Sequence, residues 1–303
     1  MTMTFGDPDF GWARVGHHGS DSAWVRPIRP WKPSYSSMRL LTVTPPSADL
    51  SGVNYFRPMN PSPVAIVADG RFYVGPDLCR QLASRGFDLV VGDADESLAT
   101  DIADLGRRLV SVTGGSDLAG SGASTLVETA QREFGRIDSA VAFSGDIVTG
   151  RFTKSSVEDL RRVLVGCVEA PYNFLRAVVP VMTEAAQGQV LIITSASAAR
   201  PTPGAPLYSA ARAGATMLVK NVADEVARTG VQVNAIGTNF MDFPAFLKSS
   251  GATDPEVRAK IEAQVPMRRL GTMTEFASFC MAFLDGSSRF TTGQFVAYAG
   301  GWA

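Results

Sequence analysis

From residue 63 onward, short apolar runs rich in β-branched residues alternate with longer stretches in which apolar residues recur every three or four positions. The runs at 63–68, 87–92, 108–112, 137–143, 189–194, 231–236 and 294–298 predict strands. The stretches at 75–85, 95–106, 121–134, 156–183, 207–228 and 273–284 predict helices. Strands that are apolar on both faces and joined by helices predict an α/β fold: a single domain over 63–303 with a Rossmann-like, doubly wound parallel seven-stranded sheet. Gly86, Gly106, Gly135 and Gly230 fall where helices should stop, and Ser155 followed by Glu158 predicts a capping box at the start of the longest helix. The stretch GGSDLAGSGAS at 114–124 reads as a flexible loop within the domain.

Residues 1–62 lack either period and are crowded with prolines, so they predict an irregular N-terminal extension, disordered or loosely docked. Trp12, Trp24 and Trp31 are unusual for pure disorder, and Met38 or Met59 are alternative beginnings. Both histidines, His17 and His18, lie in this extension. The folded body therefore has no histidine, which excludes a Ser-His-Asp triad and an ordinary histidine metal site there. Cys79, Cys167 and Cys280 are odd in number and far apart, fitting reduced, packed thiols rather than disulfides or a metal centre. A formal charge of -1 without long charge runs excludes the electrostatic footprint of a nucleic-acid or anionic-membrane binder. The chain shows neither the roughly 20-residue apolar stretch of a membrane span nor a basic-plus-apolar export signal, which predicts a cytoplasmic protein.

The first strand and helix are joined by VAIVADGRFYVGPDL, residues 64–78. A dinucleotide-binding turn at this place needs three glycines, so that the backbone can bend sharply and a pyrophosphate can approach the helix N-terminus. Here Asp69 and Tyr73 stand where glycine is wanted, and Gly75 alone remains. Active sites in such sheets lie beyond the carboxyl ends of the strands. There, the predicted fifth strand runs into Ser195, and Tyr208 and Arg212 follow one helical turn apart, so their side chains share a helix face.

A strand-end Ser, then Tyr-x-x-x-basic, then VNAIGTNFMD, PMRRLG and TTGQFVAYAGG together resemble the short-chain dehydrogenase/reductase superfamily over about residues 63–303. Several of that superfamily's cofactor positions differ here. The turn reads ADGRFYVG, the segment after the fourth strand reads Ala142-Phe143-Ser144-Gly145, and Cys167 replaces a helix Asn. The third strand, LVSVTGG, lacks the Asp that contacts adenine; Thr238-Asn239 replaces Pro-Gly, Phe243 stands for a Thr, and Arg212 replaces Lys. The pattern is similar to the halohydrin dehalogenases, which share the fold but use a Ser-Tyr-Arg triad and no nicotinamide. Their turn is similar to Thr-x-x-x-x-Phe/Tyr-x-Gly, against Ala68-x-x-x-x-Tyr73-x-Gly75 here, so the aromatic and the glycine match and the leading Thr does not.

This resemblance implies reversible, cofactor-independent conversion of vicinal haloalcohols to epoxides, and epoxide opening by azide, cyanide, nitrite or halide. Tyr208 is the expected base, Ser195 orients the substrate oxygen, and Arg212 supplies the permanent positive charge that a phenol with an ordinary pKa near 10 needs beside it. Tyr73, Thr238, Asn239, Phe240 and Met241 are expected to wall the halide site, with Phe143, Ile147 and Ser197 on the organic side. The resemblance also implies a homotetramer built on the helices at 156–183 and 207–228. Two alternatives stay open: a divergent NAD(P)-dependent reductase, with Arg212 in the lysine's role and Asp93 on the ribose, and a non-catalytic scaffold. Taken alone, Tyr73 reads equally as a packed turn aromatic, Asp93 as a helix cap, Cys167 as a small core residue and Trp302 as surface packing.

Overall fold

The computed structural model describes residues 62–143, 145 and 147–303, together with two short backbone segments nearer the N-terminus. The chain separates into two units, Met1–Pro58 and Met59–Ala303. In the first, Ala13–Arg14 pairs antiparallel with Trp24–Val25. His17, His18, Trp12, Trp31, Met38 and Met59 lie outside the described residues.

The second unit carries seven strands: β1 (Val64–Val67), β2 (Asp88–Gly92), β3 (Leu109–Val112), β4 (Ser139–Phe143), β5 (Gly188–Ser195), β6 (Val231–Thr238) and β7 (Phe295–Tyr298). They form one sheet in the order β7-β6-β5-β4-β1-β2-β3, with every neighbouring pair parallel. Each predicted strand is present. Because side chains alternate across a strand, each one feeds two cores. Ile66, Val90, Ala140 and Ile192 face one cluster with Phe174 and Val219, while Val67, Val91, Val141 and Ile193 face the other with Leu78 and Phe276.

The helices are α1 (Gly75–Ser84), α2 (Glu96–Asp104), α3 (Gly122–Phe134), α4 (Val157–Leu164), α5 (Ala170–Glu184), α6 (Pro206–Val226), α7 (Pro244–Ser250), α8 (Pro255–Glu262) and α9 (Met273–Cys280). Gly86, Gly106, Gly135 and Gly230 all take positive φ, as helix-ending glycines do. The capping box falls one residue later than predicted. Ser156 Oγ accepts from Asp159 N–H and the Asp159 carboxylate accepts from Ser156 N–H, whereas Ser155 closes the preceding short turn by donating to the Phe152 carbonyl. That turn, Phe152–Lys154, leaves Ser155 and Ser156 extended, so Val157 is the first helical residue.

The predicted single helix over 156–183 is α4 and α5 joined by a π turn, Val165–Glu169. The predicted loop at 114–124 is pinned, and α3 begins inside it. Asp93 accepts from Gly114 N–H, Ser116 N–H and Ser116 Oγ–H. Cys79, Cys167 and Cys280 are buried and form no disulfide. Among the described residues, no helix is long and apolar enough to cross a membrane, and no group of three His, Cys, Asp or Glu is placed to hold a metal.

Candidate active site

The site is assembled at the carboxyl ends of β1, β4, β5 and β6. Ser195 ends β5 and pairs in register with Thr238, which ends β6. α6 then carries Tyr208 and Arg212 on one face. All three predicted catalytic side chains are buried: Ser195 is 8% exposed, Tyr208 9% and Arg212 6%. The Arg212 guanidinium carbon lies 5.0 Å from the centroid of the Tyr208 ring, a cation–π contact. On its other side the guanidinium meets Gly145. A Cβ there would come within 2.9 Å of Arg212 Nη2 and 2.6 Å of Cys167 Sγ, and Gly145 holds a φ of 112°, so both space and backbone require glycine. The neighbouring Ser144 and Asp146 are outside the described residues.

Ser195 Oγ lies 2.6 Å from Ser197 Oγ and accepts from Ser197 N–H at 3.2 Å, so the predicted pocket residue Ser197 holds the Ser195 hydroxyl directly. Val148 and Leu207 pack with Tyr208 and also border a cleft of about 210 Å³ lined by Gly150, Arg151, Lys154 and Pro206. Ser195, Tyr208 and Arg212 do not themselves line this cleft. Ile147, expected on the substrate side, is 67% exposed, and Val148 is the residue of this segment that joins the Tyr208 cluster.

Tyr73 takes a left-handed backbone, with φ 55°, and turns its ring inward. Its hydroxyl donates to Thr238 Oγ1 at 2.8 Å. The ring meets Phe243 at 4.8 Å, Phe143 at 5.9 Å and Phe276 at 6.1 Å between centroids. Burial pushes the Tyr73 phenol well above the ordinary tyrosine range, so it stays neutral, and the Thr238 bond only partly opposes this. Phe143, expected on the substrate side, is packed with this plug.

The predicted halide wall divides. Thr238 faces Tyr73, whereas Asn239, Phe240 and Met241 line a cavity of about 300 Å³ with Val265, Met267 and Tyr298. Phe240 itself has a φ of 55°. Its ring meets Trp302 edge-on at 5.6 Å, and Arg200 stacks over Trp302 at 4.5 Å, so Trp302 packs within its own chain.

The β1–α1 turn does not fit a dinucleotide pyrophosphate. Gly70 N–H donates to the Gly92 carbonyl, Arg71 and Phe72 N–H donate to the Asp69 carboxylate at 2.8 and 3.0 Å, and Gly75 N–H donates to the Phe72 carbonyl. These are the donors that such a turn offers to phosphates. The turn closes so tightly that a Cβ on Gly75 would stand 1.9 Å from the Asp69 carbonyl oxygen. Asp93, the alternative ribose ligand, is engaged by Gly114 and Ser116 and lies 3.6 Å from Arg71. Burial opposes its ionisation, but the Ser116 and Gly114 hydrogen bonds outweigh it and hold the carboxyl below its ordinary range. Asp69 is the residue that sequence reasoning undervalued: it read as a displaced glycine, although an Asp followed by two loop residues is a known signal for a side chain bonding the backbone ahead of it.

A family model described as enoyl-(acyl carrier protein) reductase matches residues 74–303. The chain belongs to this family of short-chain dehydrogenase/reductases. It is 29% identical over 242 residues to a hydroxy(phenyl)methylsuccinyl-CoA dehydrogenase subunit, BbsC, of Thauera aromatica, covering 78% of this chain and 93% of that protein. It is 24% identical to 2,5-dichloro-2,5-cyclohexadiene-1,4-diol dehydrogenase LinX of Sphingobium indicum, covering 79% and 96%. The acetoin dehydrogenase of Enterobacter cloacae superposes with a TM-score of 0.69 at 25% identity, over 80% of this chain and 96% of that one. NAD+-bound xylitol dehydrogenase, at 23% identity, shares the fold with a TM-score of 0.72, over 79% and 98%. These relatives are named as oxidoreductases, and their names support a reductase rather than a lyase.

Proposed function

We propose that this member of the short-chain dehydrogenase/reductase family is a halohydrin dehalogenase, which forms epoxides from vicinal haloalcohols without a nucleotide and opens epoxides with small anions. The observation that carries this reading is the seat of Tyr73. Its ring and the Asp69-bonded turn stand where a dinucleotide-binding fold carries its glycine-rich turn, and Arg212 stacks on Tyr208 on the helix that follows Ser195.

In the proposed reaction Tyr208, as phenolate, takes the substrate hydroxyl proton, and Ser195 donates a hydrogen bond to the same oxygen as its charge develops. The oxygen lone pair forms the new C–O bond, the C–halogen bond breaks, and halide leaves with its electron pair. No oxidation or reduction occurs. Arg212, stacked on Tyr208, places a permanent positive charge against the ring. The halide departs toward the Tyr73–Thr238 side, with the bend over Asn239, Phe240 and Met241 beyond it. The apolar residues left exposed on α4 to α6, among them Leu160, Leu164, Tyr172 and Met217, support the homotetramer that the resemblance implies.

The second reading, an NAD(P)-dependent oxidoreductase, is supported by the names of the relatives and by the fold that they share. One experiment separates the two: incubation with a 1,2-haloalcohol in the absence of nucleotide, alongside titration with NADH and NADPH. Halide release without nucleotide, with no saturable nucleotide binding, is the expected result. Saturable micromolar NAD(P)H binding with no halide release would transfer the assignment to the oxidoreductase.

A further inference from the structure

We propose that Asp69 is a positioning residue for the Tyr73 wall: its carboxylate ties down the two backbone N–H groups ahead of it and so fixes the turn that drives Tyr73 into the cleft. The anion-binding arm of the test rests on the halohydrin dehalogenase reading, whereas the positioning itself does not.

Tyr73 holds a backbone conformation that a bulky residue avoids, and such a conformation persists only where the surroundings over-determine it. Two sets of contacts do so here. From within the cleft, Thr238 and the three phenylalanine rings hold the side chain. From the chain side, Asp69 Oδ1 accepts from Arg71 N–H at 2.8 Å and Phe72 N–H at 3.0 Å, fixing the two residues that precede Tyr73. Gly75 N–H then returns to the Phe72 carbonyl at 3.1 Å and closes the loop around Tyr73. A single oxygen atom thus sets the entry to the strained residue, and the carboxylate holds donors that would otherwise face an incoming anion. Exclusion of a dinucleotide and seating of the aromatic wall are then two effects of one side chain. The competing account is that Asp69 merely caps a surface loop with no effect on Tyr73.

The variants are Asp69→Asn, which keeps the accepting oxygen and loses the charge, Asp69→Ala, which loses the acceptor, and Asp69→Ser as a milder loss should the alanine variant fold poorly. The first readout needs no activity: nitration of Tyr73 by tetranitromethane, mapped by peptide mass spectrometry against the other tyrosines. Tyr73 is expected to be protected in the wild type and in Asp69→Asn, and nitrated in Asp69→Ala and, to a lesser degree, Asp69→Ser. The second readout is epoxide opening by azide. The azide KM should rise roughly tenfold or more in Asp69→Ala, the scale of one lost hydrogen bond to a charged group, while kcat changes far less and Asp69→Asn stays at the wild-type value. Equal protection of Tyr73 in all four proteins overturns the proposal, as does an Asp69→Asn variant as impaired as Asp69→Ala. If the nitration pattern holds but no protein opens epoxides, the dehalogenase reading fails and the positioning role stands.

Discussion

Replacing Tyr73 tests the central packing claim through stability alone. Tyr73→Ala removes a largely enclosed ring that touches Phe143, Phe243 and Phe276, and large-to-small aromatic changes cost about 3–5 kcal/mol. It also strips Thr238 Oγ1 of its donor, which adds about 1 kcal/mol. Alanine keeps the left-handed strain that tyrosine suffered, so the backbone gives nothing back. Tyr73→Gly loses the same contacts but adopts a φ of 55° freely, recovering about 1–2 kcal/mol. Greater freedom of the unfolded chain takes back about 0.5–1 kcal/mol of that. Alanine should therefore lower the melting temperature by roughly 10–20 °C, at about 2–4 °C per kcal/mol for a body of this size, and glycine should be no worse than alanine. Urea and thermal unfolding of the two variants measure both quantities. An alanine variant within about 1 kcal/mol of the wild type, or a glycine variant clearly less stable than alanine, would refute the packed, strained seat described for Tyr73.

Tyr208→Phe is expected to cut halide release from a 1,2-haloalcohol by about 10²–10⁴-fold with the melting temperature held, as for loss of a general base, and Arg212→Lys should not restore what Arg212→Ala loses, because a compact ammonium does not replace a planar fork stacked on a ring. Gly145→Ala places a methyl against Arg212 and Cys167, so activity should fall more than about tenfold, and a crystal structure of the variant should show the guanidinium displaced from the Tyr208 ring. Glu275 is bonded first by Arg269 and then by the Thr272 N–H, and these hold its pKa at about 2 against an ordinary 4.5. Its pairing therefore stabilises the fold fully above pH 4.5 and is lost as the pH falls toward 2. The difference in urea midpoint between the wild type and Glu275→Gln should shrink over that window, and a difference that is constant from pH 7 to pH 3 would contradict the pairing.

The seven strands were legible because a two-sided burial pattern writes itself into sequence as unbroken apolar runs. α7 and α8 were not legible. Neither buries a residue, so neither carries an apolar stripe, although Pro244 and Asp254-Pro255 mark their starts. The placement of the three proposed site residues was legible from order and spacing: Ser195 ends a strand, and Tyr208 and Arg212 share one helix face. The halide wall was legible only in part. Residues 238–241 were taken as one surface, whereas Thr238 is drawn to the Tyr73 hydroxyl and Asn239, Phe240 and Met241 line a separate cavity. The two bonds that Asp69 makes were hidden for a similar reason: composition reports which residue stands in a turn, and geometry alone reports which N–H it faces.

The π turn at Val165–Glu169 has a consequence for how this chain can change. An extra residue in one turn offsets everything beyond it by about 100° around the helix axis. Phe174, beyond the turn, faces the core with that offset present. Deleting a single residue between 165 and 169 would restore a regular helix and yet rotate Phe174, Leu175 and Val178 out of register with the sheet. The irregularity is thus a ratchet in the lineage: easily kept, and hard to lose without rewriting the helix that follows.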